Sequence, residues 1–440
     1  MLKNEISLII FFICFFFYQS KTTLVLLDDW NNVETNSLFW KQIKNMGYEI
    51  DFKMANDKDI KLTNYGEYIY DNIIFFAPTY MDSKKNEINI QNLLKFIDDG
   101  HDLMIFGSSD ASKFMRELVN EFGVDYDDFD SEVKNSMYLH SDSGIKGINN
   151  QLLNLSDEEI IVSKNIIKIN NVFNKPNGYI LYKGIGMDLD PQNKYVFPIL
   201  SGDKNAYSVS KSTGEVYSNG EHIKLVNGYQ ARNNRRIVVL GSMDICSDKF
   251  YYLSMTENDK TMLDSPNAKF CEDILNWNFQ RTGILKYENV KHNNNKGETL
   301  DTYRIKDYLE YYIDILEYDY KTNTWKNYES DDIQLSFIMM NPYYINQLKK
   351  IYGKPTYYAK FRAPEKHGVF KFIVDYHRTG YSYIFSSTKI PLRPFYHNEF
   401  PRFIPCAYPY YLSVFIILGA FIIFSVLFLY GKETIKQKIE

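Results

Sequence analysis

The sequence predicts an α/β domain on a mostly parallel, flavodoxin- or Rossmann-like sheet, then a β-sandwich-like domain, then one C-terminal transmembrane helix. Three observations predict it. Short apolar runs alternate with amphipathic stretches over the first part of the chain, the pattern of strands covered on both faces by crossover helices. After about Gly283 helical periodicity gives way to strand-like runs punctuated by Pro and Gly turns. Leu412–Tyr430, LSVFIILGAFIIFSVLFLY, then runs nineteen residues without a charge. As a helix at ~1.5 Å per residue it spans roughly 29 Å, the thickness of a bilayer's hydrocarbon core. Tyr408, Tyr410 and Tyr411 upstream and Tyr430 downstream stand where aromatic belts form, and Lys432 follows.

The N-terminus sets the side of that membrane. Lys3 precedes a mostly apolar run, Ile6–Tyr18, too short to span and suited to the h-region of a secretory signal peptide over residues 1–20. Ser20 supplies a small residue at the exit, although Tyr18 occupies a position where another is preferred. A signal followed by one late helix gives a type I protein. The lumenal α/β domain takes residues 21–283, a membrane-proximal β-rich domain 284–400, the transmembrane helix 411–430 and the cytoplasmic tail 431–440. Lys436 and Lys438, at the fifth and third places from the end, resemble a dilysine endoplasmic-reticulum retrieval signal. A basic stop-transfer flank reads the same way.

Composition narrows the function classes. The chain has 440 residues and a net charge of −5, which gives no electrostatic basis for binding nucleic acid. Of four cysteines, Cys14 falls in the signal, leaving Cys246, Cys271 and Cys406. That odd remainder permits one bridge and a free thiol, so the cores must carry the stability. One sequon, Asn154-Leu155-Ser156, is available for N-glycosylation.

Thr23–Leu27 reads as a buried strand ending at Asp28-Asp29, Ser37–Met46 as a helix and Tyr48–Lys53 as the next strand. Ile73–Ala77 is a strand closed by Pro78; Ile90–Asp98 is a helix stopped at Gly100. Asp102–Gly107 is a strand and Ala111–Phe122 a helix ended by Gly123. The middle opens with an acidic stretch, Asp125–Glu132, followed by the short runs Tyr179–Tyr182 and Tyr195–Leu200. Pro198 confines the second to an edge. Arg236–Gly241 is again a buried strand, and Asn267–Arg281 a helix. Beyond a polar link, His292–Gly297, come strands at Tyr308–Tyr318, Ile333–Met339, Tyr357–Phe361, Val369–Tyr376 and Tyr381–Lys389. Five prolines between Pro391 and Pro409 stiffen the approach to the helix.

Three strand ends carry polar clusters: Asp28-Asp29, Ser108-Ser109-Asp110 and Ser242-Met243-Asp244. Parallel sheets bind ligands at such ends, but Ser and Asp are also the usual N-caps of following helices. No G-x-S-x-G elbow or H-E-x-x-H occurs, and Gly184-Ile185-Gly186 lacks the third glycine of a dinucleotide fingerprint. Asp188-Leu189-Asp190 has the D-x-D form that chelates metal in sugar-nucleotide transferases, yet Pro191 suits a turn. Arg232, Arg235 and Arg236 offer an anion clamp, for instance for a lipid pyrophosphate. A solvated turn or an intersubunit salt-bridge surface is the plainer reading.

Longer runs carry a resemblance. Thr23–Leu27 with Asp28, then Tyr65-Gly66-Glu67-Tyr68-Ile69-Tyr70-Asp71-Asn72-Ile73, resemble the lumenal start of the forty-eight-kilodalton, non-catalytic subunit family of oligosaccharyltransferase, which includes yeast Wbp. Gly228-Tyr229-Gln230-Ala231-Arg232-Asn233-Asn234, with Gly241-Ser242, is similar to that family's most distinctive interior run. Asp331–Leu335, Gly368–Phe372, Val374–Tyr376, Arg402–Pro405 and Ala407–Tyr411 continue the likeness in order. The Asp125–Asn150 region diverges, and Cys406 stands where a small polar residue is expected.

The resemblance implies a membrane-anchored subunit, without cofactor or metal of its own, of the complex that moves a preassembled glycan from dolichyl diphosphate to Asn of N-x-S/T sequons. It implies other subunits as partners, including a polytopic catalytic one, together with membrane lipid and the protein translocation channel. The alternatives from the residues alone are a glycan-processing enzyme using Asp188 and Asp190 or the strand-end aspartates, and a lumenal sugar- or cargo-binding receptor. Gly419-Ala420 would let a neighbouring helix approach the anchor closely.

Overall fold

The computed structural model describes residues 21–57, 60–82, 87–135, 146–147, 161–163, 180–204, 206–254, 256–257, 260–261, 266–400 and 405–431. The expected signal peptide, the Asn154 sequon, Lys436 and Lys438 lie outside them. The first domain is organised by five strands: β1 (Lys21–Leu27), β2 (Tyr48–Met54), β3 (Asn72–Phe76), β4 (Asp102–Phe106) and, far along the chain, Arg236–Leu240. They lie parallel in that spatial order except that β2 is outermost, beside β1. Counting the last as fifth, the order is 2-1-3-4-5, that of a flavodoxin-like sheet.

Their unbroken apolar runs are explained by burial on both faces. Val25, Ile74, Met104 and Val238 face the helices α1 (Ser37–Asn45) and Pro266–Asn278. The alternate residues Leu24, Ile73, Leu103 and Ile237 face α2 (Ile90–Asp98) and α3 (Lys113–Asn120). Asn89 and Ser112 cap α2 and α3, accepting from the amides of Asn92 (2.8 Å) and Met115 (3.3 Å).

The sheet then continues antiparallel through β5 (Val124–Tyr126), β6 (Met187–Leu189), β7 (Val196–Ser201) and β8 (Lys224–Gln230), before β9, the Arg236–Leu240 strand already described. β7 is the Pro198 strand; among the described residues it pairs with β8 alone, and its register shifts just past the proline. The strand β8 was not legible in the sequence, because Asn227, Gly228 and Gln230 interrupt its apolar run. In the fold Asn227 and Gln230 are buried nonetheless.

After α4 (Pro266–Asn278) the chain forms a two-sheet sandwich. One sheet orders β10 (Leu285–Asn294), β12 (Tyr308–Asp319), β17 (Thr356–Arg362) and β16 (Lys349–Lys350), with β13 (Thr324–Asn327) also on β12. The other orders β11 (Tyr303–Arg304), β19 (Ile384–Arg393), β18 (Gly368–Tyr376), β14 (Gln334–Ile338) and β15 (Pro342–Gln347). Alternating residues such as Tyr311, Ile313, Phe337, Phe370 and Phe372 fill the space between, and this core is continuous with the α1–α4 layer of the first domain. β10 ends at Asn294, inside the stretch His292–Gly297 that reads as a polar link. It is an edge strand with only Leu285 buried, so its sequence carries little apolar signal.

Last comes α5 (Tyr408–Tyr430), an apolar helix none of whose residues is buried. Its length and composition are those of a transmembrane helix. Before it, Arg393 grips Glu399 through both terminal nitrogens of its guanidinium (2.6 and 2.8 Å) and lies 4.0 Å over the Tyr396 ring, tacking the exit segment onto the sandwich.

Cys246 and Cys271 form a disulfide that pins the turn after β9 to α4, and Cys406 is free and exposed. Closing a 25-residue separation in the unfolded chain contributes about 3 kcal/mol. The double variant Cys246→Ala/Cys271→Ala should lose roughly that much in chemical denaturation, and an unchanged midpoint would contradict it. Glu399 gives a pH signature. The Arg393 hydrogen bonds, helped by the Tyr396 amide, pull its carboxyl from 4.5 down to about 2. Its stabilisation is therefore complete above the unfolded value and lost as pH falls through about 2. Glu399→Gln should flatten the acid limb of the stability curve below pH 4.5 relative to the parent chain.

Candidate functional site

The carboxyl edge of the parallel strands is the first place to seek a ligand site, and the protein's own groups occupy much of it. At the switch point between β1 and β3, the Asp28 carboxylate accepts from the Thr79 amide (3.0 Å) and hydroxyl (2.8 Å). Asp29 accepts from the amide and side chain of Asn31. Ser242 donates to the Lys183 carbonyl and accepts from the Asp244 amide. The 180–187 segment crosses this edge: Ile185 donates to the Gly241 carbonyl (2.9 Å), and the Tyr182 hydroxyl donates to Ile185 (2.6 Å). A Cβ on Gly184 or Gly241 would collide with backbone atoms of the other segment, so Gly184-Ile185-Gly186 is a close backbone crossing rather than a phosphate cradle.

A cleft of 310 Å³ remains beside it, lined by Lys183, Asp244, Ser247, Asp248 and neighbours. Asp248 is committed to structure. Its carboxylate accepts from the Ser37 amide (3.0 Å), the Ser37 hydroxyl (2.6 Å) and the Leu38 amide (2.9 Å), serving as the N-cap of α1 from 211 residues away. Burial pushes the Asp244 carboxyl up, against the pull of Lys183 and Lys249. Asp188, within β6, accepts from the Leu189 amide, and Asp190 accepts from the Gln192 amide in the turn that follows. Among the described residues no group of three or more His, Cys, Asp and Glu is placed to hold a metal ion.

The run Gly228–Asp248 has a different role: it clasps the two domains. Arg236 is fully buried at the start of β9. Its guanidinium donates to the carbonyls of Trp277 (2.7 Å), Thr282 (2.6 Å) and Gly283 (2.9 Å), and lies 4.9 Å from the Trp277 ring centre. The Trp277 indole donates to the Gly380 carbonyl (2.9 Å) in the β18–β19 loop of the sandwich. Gln230 donates to the Tyr381 carbonyl (2.7 Å), and Asn234 accepts from the Tyr383 amide (2.7 Å). Ser382 donates its amide to Gly283 and receives the Leu285 amide on its hydroxyl (2.7 Å). Gly283 has φ +67° and a Cβ there would stand 2.5 Å from the Gly380 carbonyl, so the hinge tolerates only glycine.

Arg235 pairs with Asp102 (3.5 Å), and Asp102 also accepts the Arg236 amide (2.9 Å). Burial pushes the Asp102 carboxyl up, and these donors oppose it. The three arginines therefore do not converge as an anion clamp: Arg236 is spent on carbonyls, Arg235 on Asp102, and Arg232 alone faces outward. Two clefts flank the clasp. One of 360 Å³ is lined by Lys21, Tyr48, Gln280, Arg281 and Tyr320, the other of 190 Å³ by Tyr195, Gln230, His377 and Tyr383. The sequence marked the 228–248 run as unusual, but not that Arg236 faces carbonyls at 277–283 and that Gln230 and Asn234 bond the backbone of Tyr381 and Tyr383.

All these clasp residues lie at the amino ends of the parallel strands and at the sandwich end opposite Arg393, where the chain leaves for α5. The carboxyl edge of the sheet thus lies at the far end of the parallel strands from the sandwich.

Fold and clasp together define a membrane-anchored protein of two domains fastened to each other by buried hydrogen bonds. More particularly, the chain belongs to the OST48 family: the profile described as "OST48, N-terminal domain" matches residues 16–281 and that described as "OST48 middle domain" residues 290–432. It is 35% identical over 424 residues to the dolichyl-diphosphooligosaccharide–protein glycosyltransferase 48 kDa subunit of Danio rerio, covering 94% of this chain and 93% of that one. The proteins of the same name from Arabidopsis thaliana and Drosophila melanogaster are 34% and 32% identical, over 94% and 93% of this chain and 93% and 91% of theirs. Among solved structures a ThuA-like protein from Parabacteroides merdae aligns with 58% of this chain and 88% of its own at 13% identity and a TM-score of 0.29, too loose a likeness to bear on function.

Removing the buried guanidinium takes a donor from three carbonyls and leaves that of Thr282 with none, since Gln280 still donates to Trp277 and Ser382 to Gly283. Arg236→Ala should cost about 3–5 kcal/mol, and Arg236→Lys most of that, because one ammonium cannot span the three acceptors. Limited proteolysis should then cut between the domains, near Thr282–Lys286. A variant as stable and as resistant as the parent would contradict the clasp.

Proposed function

We propose that this protein is a non-catalytic subunit of the oligosaccharyltransferase complex, which transfers a preassembled oligosaccharide from dolichyl diphosphate to Asn of N-x-S/T sequons. It is needed there for assembly and full activity. The observation that carries the reading is the collinear match, through both domains and into the anchor, to relatives bearing the name of that complex's 48 kDa subunit. Its partners are the other subunits, including the polytopic catalytic one, with the translocation channel close by. The chain lies in the endoplasmic-reticulum membrane with its domains in the lumen, entering behind a signal peptide over residues 1–20 and retrieved through Lys436 and Lys438. Asn154 is then open to glycosylation.

The physical arrangement favours a scaffold over an enzyme. The strand-end carboxylates Asp28 and Asp248 serve as turn and cap acceptors at the edge of the sheet that faces away from the sandwich, whereas a lipid-linked donor resides at the bilayer. A subunit of this kind works by geometry. Two domains joined through Arg236, Trp277 and Gln230 present fixed surfaces to partners at a set height above the membrane.

Single exchanges of Asp110, Asp188, Asp190 and Asp244 for Asn separate this from the enzyme reading. In the purified complex, peptide glycosylation should stay within about twofold of the parent, because none of these groups moves a proton in the reaction. A loss of about a hundredfold or more with the complex intact would make that aspartate catalytic and overturn the proposal.

A further inference from the structure

The sandwich end from which the chain leaves for α5 exposes large apolar side chains that the core does not use. β19 leaves there at Arg393, next to the start of β18 at Gly368 and the β14–β15 turn around Met340. Met340 is 89% exposed, and Tyr343, Val369, Tyr396 and Phe400 are exposed as well. The loops form one surface. Lys366 lies 5.9 Å over the Tyr343 ring, Lys306 pairs with Glu365 (2.9 Å), and the Phe395 and Phe400 rings meet at 5.4 Å.

The tether decides what this surface faces. Only residues 401–404 lie between Phe400 and the start of the apolar helix region at Pro405. Five steps of ~3.6 Å reach no more than roughly 18 Å, so Phe400 stays within that distance of the helix entrance whatever path the linker takes. The entrance itself carries Tyr408, Tyr410 and Tyr411, the aromatic belt of a membrane surface. An apolar surface held so close to the headgroups meets lipid at a high effective concentration, and weak insertion of a few side chains is then enough to hold it.

We propose that this end of the sandwich docks on the bilayer that α5 spans, with Met340, Val369, Tyr396 and Phe400 in the interfacial layer and Lys366 toward lipid phosphates. Separate side chains on several loop tips suit a lipid surface, which adapts to them. The domain axis is thereby fixed against the membrane at two points, tether and loop tips, and the height of the α/β domain follows. The proposal rests on α5 being a membrane anchor, so its test must report on the anchor separately.

The full chain in nanodiscs of phosphatidylcholine and phosphatidylserine provides that test. A polarity-sensitive fluorophore is attached at Met340→Cys or Val369→Cys, and at Tyr352→Cys as control, each in a Cys406→Ser background. Tyr352 is 101% exposed on the β16–β17 turn at the opposite end of the sandwich. A fourth sample carries the label on the natural Cys406 and reports the anchor. Probes at 340 and 369 should be blue-shifted and quenched by headgroup-proximal spin-labelled lipid at least about twofold more than the probe at 352. Quenching at 340 and 369 no greater than at 352, with Cys406 strongly quenched, would overturn docking while leaving the anchor intact. An unquenched Cys406 would remove the anchor and the proposal together. Protection of the 340 probe from aqueous iodide without quenching by lipid would also overturn it, assigning the surface to a protein partner.

Discussion

The architecture depends on one buried cation. Arg236 begins the central strand β9 with its side chain fully buried, and it is accommodated because three carbonyls at and just past the end of α4 converge on it. A charge without those acceptors would cost several kcal/mol in such a place. Those carbonyls belong to the α4–β10 junction, whose path is set in turn by Gly283 and by the Trp277 bond to Gly380. The cation therefore fixes the last helix of one domain, the first strand of the next and the loop between β18 and β19 at once. Asp102, buried at the start of β4, anchors the same point from the other side.

From that junction the functional geometry follows. The amino ends of the parallel strands face the sandwich, so their carboxyl ends, where a doubly wound sheet ordinarily works on ligands, point away from the anchor. There Asp28, Ser242 and Asp248 have been drawn into caps and crossings that close the edge. The fold thus keeps the frame of a ligand-binding sheet while using its polar termini for internal ties.

Legibility from sequence tracked how completely a segment's neighbours were local. β1, β3, β4 and β9 were plain because a strand buried on both faces needs an unbroken apolar run, whatever lies beside it. The sandwich strands β12 and β18 were plain because their inward residues alternate. β8 was hidden because Asn227 and Gln230 break its apolar run and Gln230 meets the Tyr381 carbonyl only in the fold, and β10 because a largely solvent-accessible edge strand has little apolar signature. Tyr381–Tyr383 read as strand yet lie before β19, diverted into the interdomain contacts of Gln230 and Asn234. The candidate site behaved in the same way. The unusual character of Gly228–Asp248 was visible in its crowded polar residues, but the partner carbonyls at 277–283 and 380–381 were not. The pairing of Cys246 with Cys271, which the sequence left open, also joins segments meeting only in the fold.

The central claim is that the chain acts by holding an assembly together rather than by chemistry of its own. Its most direct test is a mild-detergent affinity purification of the tagged full-length protein from microsomes, followed by identification of what co-purifies and an assay of glycan transfer to a sequon peptide. The account predicts recovery of a polytopic partner together with transfer activity, and no activity in the fraction where this chain stands alone. Transfer by the isolated chain would contradict it, and so would a chain that purifies without partners from membranes that retain active transferase.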